Sequence, residues 1–253
     1  MEEKKVLIKN LQANYKVFGE GRPVLILHGW PSSSEPWINT SELLAEKGMQ
    51  VIIPDLPGFG KSQEPQKSWS LDDYVEWVKE FSEKIPGLDV PFCVVGHSFG
   101  GALAAKFSIK YVQNVKKLFL VAAACVRKRT WYKKMLYRLS QIIKVFSFLP
   151  YYAVFRKAFY KFVIRKSDYP YASGVMKETL LKIISDDLSH KVGFLKIPTV
   201  LIWGDKDTST PMEQGEFIHK KIPYSKLITI SGANHALEIE VPAILAQKIL
   251  ENI

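Results

Sequence analysis

The stretch VVGHSFGG, residues 94–101, carries the strongest indication of how this chain folds. Its single serine, Ser98, stands between Gly96 on one side and Gly100 and Gly101 on the other. Glycine loses more backbone freedom on folding than any other residue, so this spacing predicts a backbone held where larger residues do not fit. An apolar run precedes Ser98 and the helical pattern FGGALAAKFSIKYV follows it, which predicts a sharp strand-to-helix turn. A glycine-rich turn with an incidental serine is the alternative.

Short apolar runs recur along the chain and predict buried strands. They read PVLILHG, VIIPDL, FCVVGH, KLFLVAAA, PTVLIWG and LITISG. Such near-continuous runs are typical of parallel strands that helices cover on both faces. The segments between them have helical spacing, and one of them opens with Ser70 and Asp73 at the spacing of a capping box. The alternation predicts an α/β fold with a doubly wound, mostly parallel sheet.

One segment, residues 126–196, interrupts the alternation and is predicted to be a helical insertion between two strands. It has no strand pattern, and Pro150, Pro170 and Gly174 divide it into separate helices. It holds 16 Lys or Arg and 4 Asp or Glu, a net charge of +12, whereas the whole chain has a net charge of +10. The excess basic charge therefore lies in this segment, as do 14 of the 31 aromatic residues.

Three interpretations of the basic segment are open. The first is an ordinary lid with a solvated basic outer face and an aromatic inner face. The second is peripheral contact with an anionic membrane, since interleaved basic and apolar residues are typical of helices on such surfaces. The third is steering of anionic substrates. Nucleic-acid binding is not predicted, because no recognition module is visible in the sequence.

Composition and length favour a cytoplasmic protein with one domain and an insertion. The chain has 253 residues, and its first ten, MEEKKVLIKN, lack the apolar region of a signal peptide. No uncharged apolar run reaches the roughly 18 residues that a spanning helix needs. Cys93 and Cys125 lie in or beside apolar runs and are predicted to be buried free thiols. No metal-ligand cluster or cofactor motif occurs, so no cofactor or metal is expected.

Ser98 needs a base, because a serine hydroxyl is a weak nucleophile until its proton is accepted. A histidine that an acid orients is such a base. Of the three histidines after Ser98, His190 lies in the insertion and His219 lies in a helical pattern. His235 follows the strand LITISG in a loop, where a parallel sheet builds its site. His235 is therefore the predicted base.

The acid should end another strand, and the segment WGDKDTSTP offers Asp205 and Asp207 after the strand PTVLIWG. The preceding strand ends in VAAACV, which has no carboxylate. The residues alone leave both aspartates open, although Asp205 suits a turn or capping role.

Five segments, in this order, resemble motifs of the α/β-hydrolase superfamily. LHGWPSSSEPW, residues 27–37, is similar to its oxyanion loop, and PDLPGFGKS, residues 54–62, to its D-x-x-G-x-G-x-S loop. GHSFGG, residues 96–101, is similar to its nucleophile elbow. IPTVLIWGDKDTSTP, residues 197–211, is similar to its acid segment, and GANHALEIEVP, residues 232–242, to its histidine segment.

The resemblance implies a core of residues 1–125 and 197–253, with residues 126–196 as the cap, and it implies a catalytic triad. Asp207 matches the acid of the family, so the triad is Ser98, Asp207 and His235. The backbone N–H groups of Trp30 and Phe99 are the implied oxyanion hole.

Supporting residues are assigned around these groups. His28, Gly29, Gly96 and Gly100 are expected to shape the oxyanion loop and the elbow, with His28 holding its loop by hydrogen bonds rather than acting as the base. An apolar lid over the serine suggests an acyl or aryl pocket. The aromatic residues expected to line it are Phe146, Phe148, Tyr151, Tyr152 and Phe155.

Differences between this sequence and the motifs of individual branches of the superfamily narrow the range of activities that the resemblance implies. A serine nucleophile argues against haloalkane dehalogenases and the epoxide hydrolases of this fold, which use aspartate. HGWP differs from the H-G-G-P-G pattern of proline iminopeptidases, and the S-G-P-G run of carbon–carbon hydrolases is absent. The expected function is hydrolysis of small or medium apolar carboxylic esters, with cofactor-free perhydrolysis as a conceivable side activity. The alternatives are a lipid esterase at a membrane surface and a small-molecule receptor of this fold with slow turnover.

Overall fold

The computed structural model describes residues 1–127 and 174–253, which contain one eight-stranded sheet and seven α-helices. The strands are β1 (Glu2–Ile8), β2 (Leu11–Phe18), β3 (Arg22–Leu27), β4 (Met49–Pro54), β5 (Phe92–His97), β6 (Val115–Val121), β7 (Thr199–Gly204) and β8 (Lys226–Ile230). The α-helices are α1 (Ile38–Ala45), α2 (Leu71–Lys84), α3 (Phe99–Lys110), α4 (Gly174–Ser185), α5 (Met212–Lys221), α6 (Leu237–Glu240) and α7 (Pro242–Leu250).

The strand order across the sheet is β1-β2-β4-β3-β5-β6-β7-β8. Every pairing from β4 to β8 is parallel, and β2 pairs antiparallel with both β1 and β4. The predicted mostly parallel sheet is therefore confirmed, and its six predicted strands are β3 to β8. The sequence analysis does not predict the hairpin β1–β2. Five of the seven residues of β1 are exposed, so this charged edge strand lacks the apolar run that marks the others.

Both faces of the central strands are buried, which explains their continuous apolar sequences. Along β3, Leu25 and Leu27 pack into a core with α2 and α3, whereas Val24 and Ile26 pack into the core on the other face with α1 and α7. Helix α2 begins with the predicted capping box: Ser70 N–H donates to the Asp73 carboxylate, and Asp73 N–H donates to Ser70 Oγ.

Helix α4 lies in the described part of the predicted insertion and covers the loop after β4. Met176 lies so close to Gly58 that a Cβ on that glycine would be 2.4 Å from its sulfur. Trp69 N–H also donates to Thr179 Oγ1 at 3.0 Å. No strand occurs among residues 174–196, but the cap boundaries as a whole stay a prediction, because residues 128–173 lie outside the described part of the chain.

The two ends of the insertion are tied to each other. Leu188 N–H donates to the carbonyl of Cys125 at 3.0 Å, and Arg127 N–H donates to Asp187 Oδ1 at 3.2 Å. Because β6 and β7 are neighbours in the sheet, the chain leaves and returns at one place.

Both cysteines are buried and free, as predicted. Burial raises the pKa of Cys125 to about 12, which keeps its sulfur protonated and unreactive at neutral pH. Within residues 1–127 and 174–253, no helix combines the length and the apolar character needed to cross a membrane.

Candidate active site

Ser98 occupies a strained turn between β5 and α3. Its backbone φ is 51°, in the left-handed region that a residue with a side chain rarely adopts. Glycine is needed at the neighbouring positions because the backbone packs too closely there for a side chain, and not because the backbone dihedral angles require glycine. A Cβ on Gly100 would lie 2.1 Å from the carbonyl oxygen of Leu27, and one on Gly96 would lie 2.4 Å from the carbonyl oxygen of Gly100. The turn therefore carries Ser98 at the carboxyl end of β5, where loops after β3, β7 and β8 can reach it.

The structure brings Ser98, His235 and Asp207 into one chain of hydrogen bonds. The distance between His235 Nε2 and Ser98 Oγ is 3.0 Å, and that between His235 Nδ1 and Asp207 Oδ2 is 2.7 Å. The Asp207 carboxylate can only accept a hydrogen bond, and it accepts this one from His235 Nδ1. Nδ1 therefore carries the proton, and Nε2 presents its lone pair to the serine hydroxyl. The Asp207 side chain is fully buried, whereas 25% of the His235 side chain is exposed.

Asp207 is fixed and kept ionised by donors from its own turn. Its Oδ1 accepts from the N–H groups of Ser209 at 2.7 Å and Thr210 at 2.9 Å, and its Oδ2 lies 2.8 Å from Thr210 Oγ1. Burial opposes the charge, but the hydrogen bonds from His235 and Thr210 outweigh it and lower the pKa of Asp207. Thr210 is not predicted from the sequence, although an aspartate at the start of such a turn commonly accepts from the backbone N–H two residues on, as Asp207 does from Ser209.

Asp205, the other aspartate considered, points away from this chain of hydrogen bonds. It is exposed, and it accepts from Gly232 N–H at 2.7 Å and from the Ser231 hydroxyl at 3.2 Å. These contacts join the turn after β7 to the turn after β8. They match the turn role that the sequence suggests for Asp205.

Within residues 1–127 and 174–253, the backbone N–H groups of Trp30 and Phe99 donate no backbone hydrogen bond, and their role as an oxyanion hole stays a prediction. Phe99 is the first residue of α3, so its N–H has no partner within the helix, and the positive end of the helix dipole lies there. Among the described residues, the N–H of Trp30 donates to no carbonyl or side chain. Its loop passes close to the serine, since a Cβ on Gly29 would lie 3.3 Å from Ser98 Cβ.

His28 is buried beneath this loop and does not contact Ser98. Its Nδ1 is 2.8 Å from the carbonyl oxygen of Gly29, and its Nε2 accepts from Leu56 N–H at 3.0 Å. Burial lowers the pKa of His28 to about 4, so the ring is neutral and both nitrogens are occupied. The supporting role of His28 stays a prediction.

An aromatic cluster includes Trp30 and lies beside its loop. The ring centroid of Trp30 is 4.6 Å from that of Phe59 and 5.8 Å from that of Phe99, and Tyr74 lies 5.3 Å from Phe99. Phe59 and Tyr74 are not predicted from the sequence to be part of the site. The predicted pocket residues all lie outside the described residues; they are Phe146, Phe148, Tyr151, Tyr152 and Phe155.

Two further polar residues behind His235 were also missed. His97, the residue before Ser98, donates from its ring to the carbonyl of His235, with Nε2 and O 2.9 Å apart. Glu238 lies against the other side of the His97 ring. No sequence pattern marks Glu238 as buried. Across residues 1–127 and 174–253, no group of three or more His, Cys, Asp or Glu side chains is placed to hold a metal ion.

The fold and these motifs agree with a known family. A family model described as the alpha/beta hydrolase fold matches residues 22–162, more than half of the chain. The chain belongs to the α/β-hydrolase family, and its activity is that of a hydrolase.

Individual relatives differ in their substrates. A proline iminopeptidase of Thermoplasma volcanium is 29% identical over 92% of this chain and 90% of its own length. Lipase 1 of Psychrobacter immobilis is 27% identical over 87% of this chain and 73% of its own. The crystal structure of a bacterial membrane phospholipase A shares the fold, with a TM-score of 0.75 and 23% identity over 99% of this chain and 84% of that one. The HGWP loop sets this chain apart from the H-G-G-P-G pattern, but an iminopeptidase is among its relatives all the same.

Proposed function

We propose that the protein is a serine carboxylic ester hydrolase that works through an acyl-enzyme on Ser98. The observation that carries the proposal is the continuous chain of hydrogen bonds from Asp207 through His235 to Ser98 Oγ. This arrangement holds Ser98 on a strained turn and buries an ionised carboxylate behind His235. Neither feature is needed to stabilise the fold. The exposed edge of His235 lets a substrate approach the serine.

Each group then has a defined role in the reaction. His235 Nε2 accepts the proton of Ser98 Oγ as that oxygen attacks the ester carbonyl, and the positive imidazolium is stabilised by Asp207. The N–H groups of Trp30 and Phe99 bind the oxyanion of the tetrahedral intermediate. His235 returns the proton to the leaving alcohol. Water then attacks the acyl-enzyme with His235 again as the base, which frees the acid and restores Ser98.

The substrate class is proposed from the surroundings of the serine. The rings of Trp30, Phe59 and Phe99 form an apolar wall next to the oxyanion loop, which suits an apolar acyl or alcohol group. No cofactor is needed for this chemistry, and we propose a cytoplasmic location in agreement with the composition.

Hydrolysis of p-nitrophenyl esters from acetate to palmitate tests the proposal. We expect rapid turnover by the wild type, covalent labelling by a fluorophosphonate, and loss of both in Ser98→Ala. Ser185→Ala, which removes an exposed serine at the end of α4, is the matched control and should behave as the wild type. Labelling that persists in Ser98→Ala would remove Ser98 from the mechanism. Faster hydrolysis of a prolyl p-nitroanilide than of any ester would favour the iminopeptidase relatives instead.

A lipid ester is the second candidate, because relatives named lipase cover most of the chain. An optimum at long acyl chains, together with binding of the protein to anionic vesicles at low salt, would support it. A short-chain optimum without vesicle binding would exclude it.

A receptor of the same fold is the third candidate. It predicts a burst of about one product per protein followed by near silence, because the acyl-enzyme or its product is retained. Sustained multiple turnover on simple esters contradicts it.

A further inference from the structure

A buried pair of side chains lies directly behind the proposed base. His97 ends β5 and is 4% exposed, and Glu238, the second residue of α6, is 3% exposed. His97 Nδ1 and Glu238 Oε1 are 3.4 Å apart. His97 Nδ1 and Glu238 Oε2 have no hydrogen-bond partner within the described part of the chain. Unpartnered buried polar atoms are rare in folded proteins, and here two of them belong to neighbouring side chains.

The protonation of His97 follows from its contact with His235. Nε2 of His97 lies 2.9 Å from the carbonyl oxygen of His235, and a carbonyl only accepts, so this nitrogen carries a proton. A neutral His97 therefore presents a lone pair at Nδ1. Glu238 reaches that lone pair only if its carboxyl group carries a proton and donates it.

The charges around the pair favour this neutral, protonated state. The titratable groups that face the two side chains are His235 and Asp207 of the proposed triad, His28 from the loop after β3, and Glu240 from α6. None of these groups is a permanent cation that would stabilise the ionised form of Glu238. Burial raises the pKa of Glu238 to about 7 and lowers that of His97 to about 3. A hydrogen bond between Oε1 and Nδ1, which are 3.4 Å apart, would require that proton and would favour the protonated form further.

We propose that Glu238 and His97 are positioning residues that share one proton and hold the backbone of His235 against the serine turn. The inference rests on the proposed function of Ser98 and His235. Loss of the shared proton leaves a carboxylate facing a lone pair in a buried place, so the two side chains repel. The ring of His97 then shifts, and the carbonyl of His235 loses its donor. His235 Nε2 moves relative to Ser98 Oγ, which lowers kcat more than KM because the displacement acts on proton transfer rather than on apolar contacts with the substrate.

The test is the pH profile of kcat and KM for ester hydrolysis between about pH 6 and about pH 10, where the ionisations of the enzyme–substrate complex appear in kcat. For the wild type we expect kcat to fall on the alkaline side of neutrality. Glu238→Gln has an amide that donates to Nδ1 at every pH, so its kcat should match the wild type near neutrality and stay level above it. Glu238→Leu removes the donor, and a small misplacement of the base should lower kcat about tenfold at all pH values, with KM within about twofold. Glu213→Gln, an exposed change on α5, is the matched control.

Failure of this inference is distinguishable from failure of the proposed function. If a fluorophosphonate does not label Ser98 in the wild type, the proposed function is wrong whatever the pH profile. If the wild type is labelled and active but Glu238→Gln loses kcat at high pH as the wild type does, the shared proton is not responsible and the inference is overturned. Should Glu238→Leu fail to fold, the comparison of Glu238→Gln with the wild type decides alone.

Discussion

Asp55 Oδ1 accepts a hydrogen bond of 2.7 Å from the backbone N–H of Ser34, and this bond joins the loop after β4 to the loop that carries Trp30. The other carboxylate oxygen of Asp55 accepts from Lys61 N–H and from the Asn14 side chain, both at 3.0 Å. Burial opposes the charge on Asp55, but these donors outweigh it and lower the pKa of this carboxyl group. One ionised side chain thus fixes the position of the proposed oxyanion loop.

We expect Asp55→Asn to weaken both stability and catalysis. The amide nitrogen must face a backbone or side-chain donor, which leaves buried groups unpaired at a cost of about 1 to 3 kcal/mol in the free energy of unfolding. The substitution should also displace the Trp30 N–H, which weakens stabilisation of the oxyanion, so we expect kcat/KM to fall about tenfold. Urea unfolding and ester kinetics measure the two effects. Asp89→Asn, which changes an exposed acceptor of a single backbone bond, is the control. Wild-type stability in Asp55→Asn would contradict this account of the loop.

The choice between the two aspartates after β7 is tested by a matched pair of variants. Asp207→Asn removes the charge that stabilises the imidazolium and favours the wrong tautomer of His235, so kcat should fall on the order of 10³- to 10⁴-fold. Asp205→Asn changes only an exposed turn, and its kcat should stay within about twofold of the wild type. The measurement is kcat with the best p-nitrophenyl ester. A larger loss in Asp205→Asn than in Asp207→Asn would reverse the assignment.

Gly100 should not accept a side chain. A Cβ there would overlap the carbonyl oxygens of Leu27 and His28, at 2.1 and 2.5 Å, and these backbone atoms cannot rotate away as the end of a flexible side chain could. We expect Gly100→Ala to lose at least about 2 kcal/mol of unfolding free energy, or to be insoluble. Gly193→Ala is the control, because its nearest neighbour, the carbonyl oxygen of Lys221, would be at an ordinary 3.5 Å. Equal melting temperatures for the two variants would refute the packing argument.

The buried ring of His28 should make the protein less stable in acid. Its pKa is lowered to about 4 in the folded protein, below the ordinary 6.5, so the unfolded chain binds more protons between these values. The stability that the neutral ring contributes is present above about pH 6.5 and is lost as the pH falls toward 4, by about 1 to 3 kcal/mol.

Glu238 has the opposite slope, because its raised pKa makes stability fall as the pH rises toward 7. The informative quantity is therefore the difference between the wild type and His28→Gln in the urea midpoint at several pH values. We expect a flatter acid limb in His28→Gln and an unchanged one in His219→Gln, whose histidine is only half-buried. An acid limb of wild-type slope in His28→Gln would mean that another group is responsible.

The parts of the fold that the sequence predicts are those whose signal is local. Strands such as β5 and β7 are buried on both faces, so burial shows directly as an apolar run. The edge strand β1 is charged and exposed, and its place in the sheet depends on pairing with β2 rather than on its own composition. A local pattern of apolar residues cannot show that kind of pairing.

Within the candidate site, too, the residues that the sequence predicts are those that a local pattern marks. Ser98 and His235 are predictable because a strand end and a glycine-rich turn mark them. Asp205 and Asp207 follow the same strand, and only the turn that brings Asp207 N–H to the carbonyl of Gly204 decides which side chain faces inward. Glu238 has no local signal at all, since its burial depends on contact with His97, which lies far earlier in the chain.

The tie between Cys125 and Leu188 has an evolutionary consequence. Cys125 and Leu188, near the two ends of the predicted insertion, are held together beside the adjacent strands, so the chain between them can be lengthened, shortened or replaced without moving β6 or β7. Each doubling of such a loop costs only about 0.6 kcal/mol in closure entropy. As the predicted cap, this segment would be an exchangeable module: selection for new substrates would act on it, while selection for chemistry would act separately on the sheet.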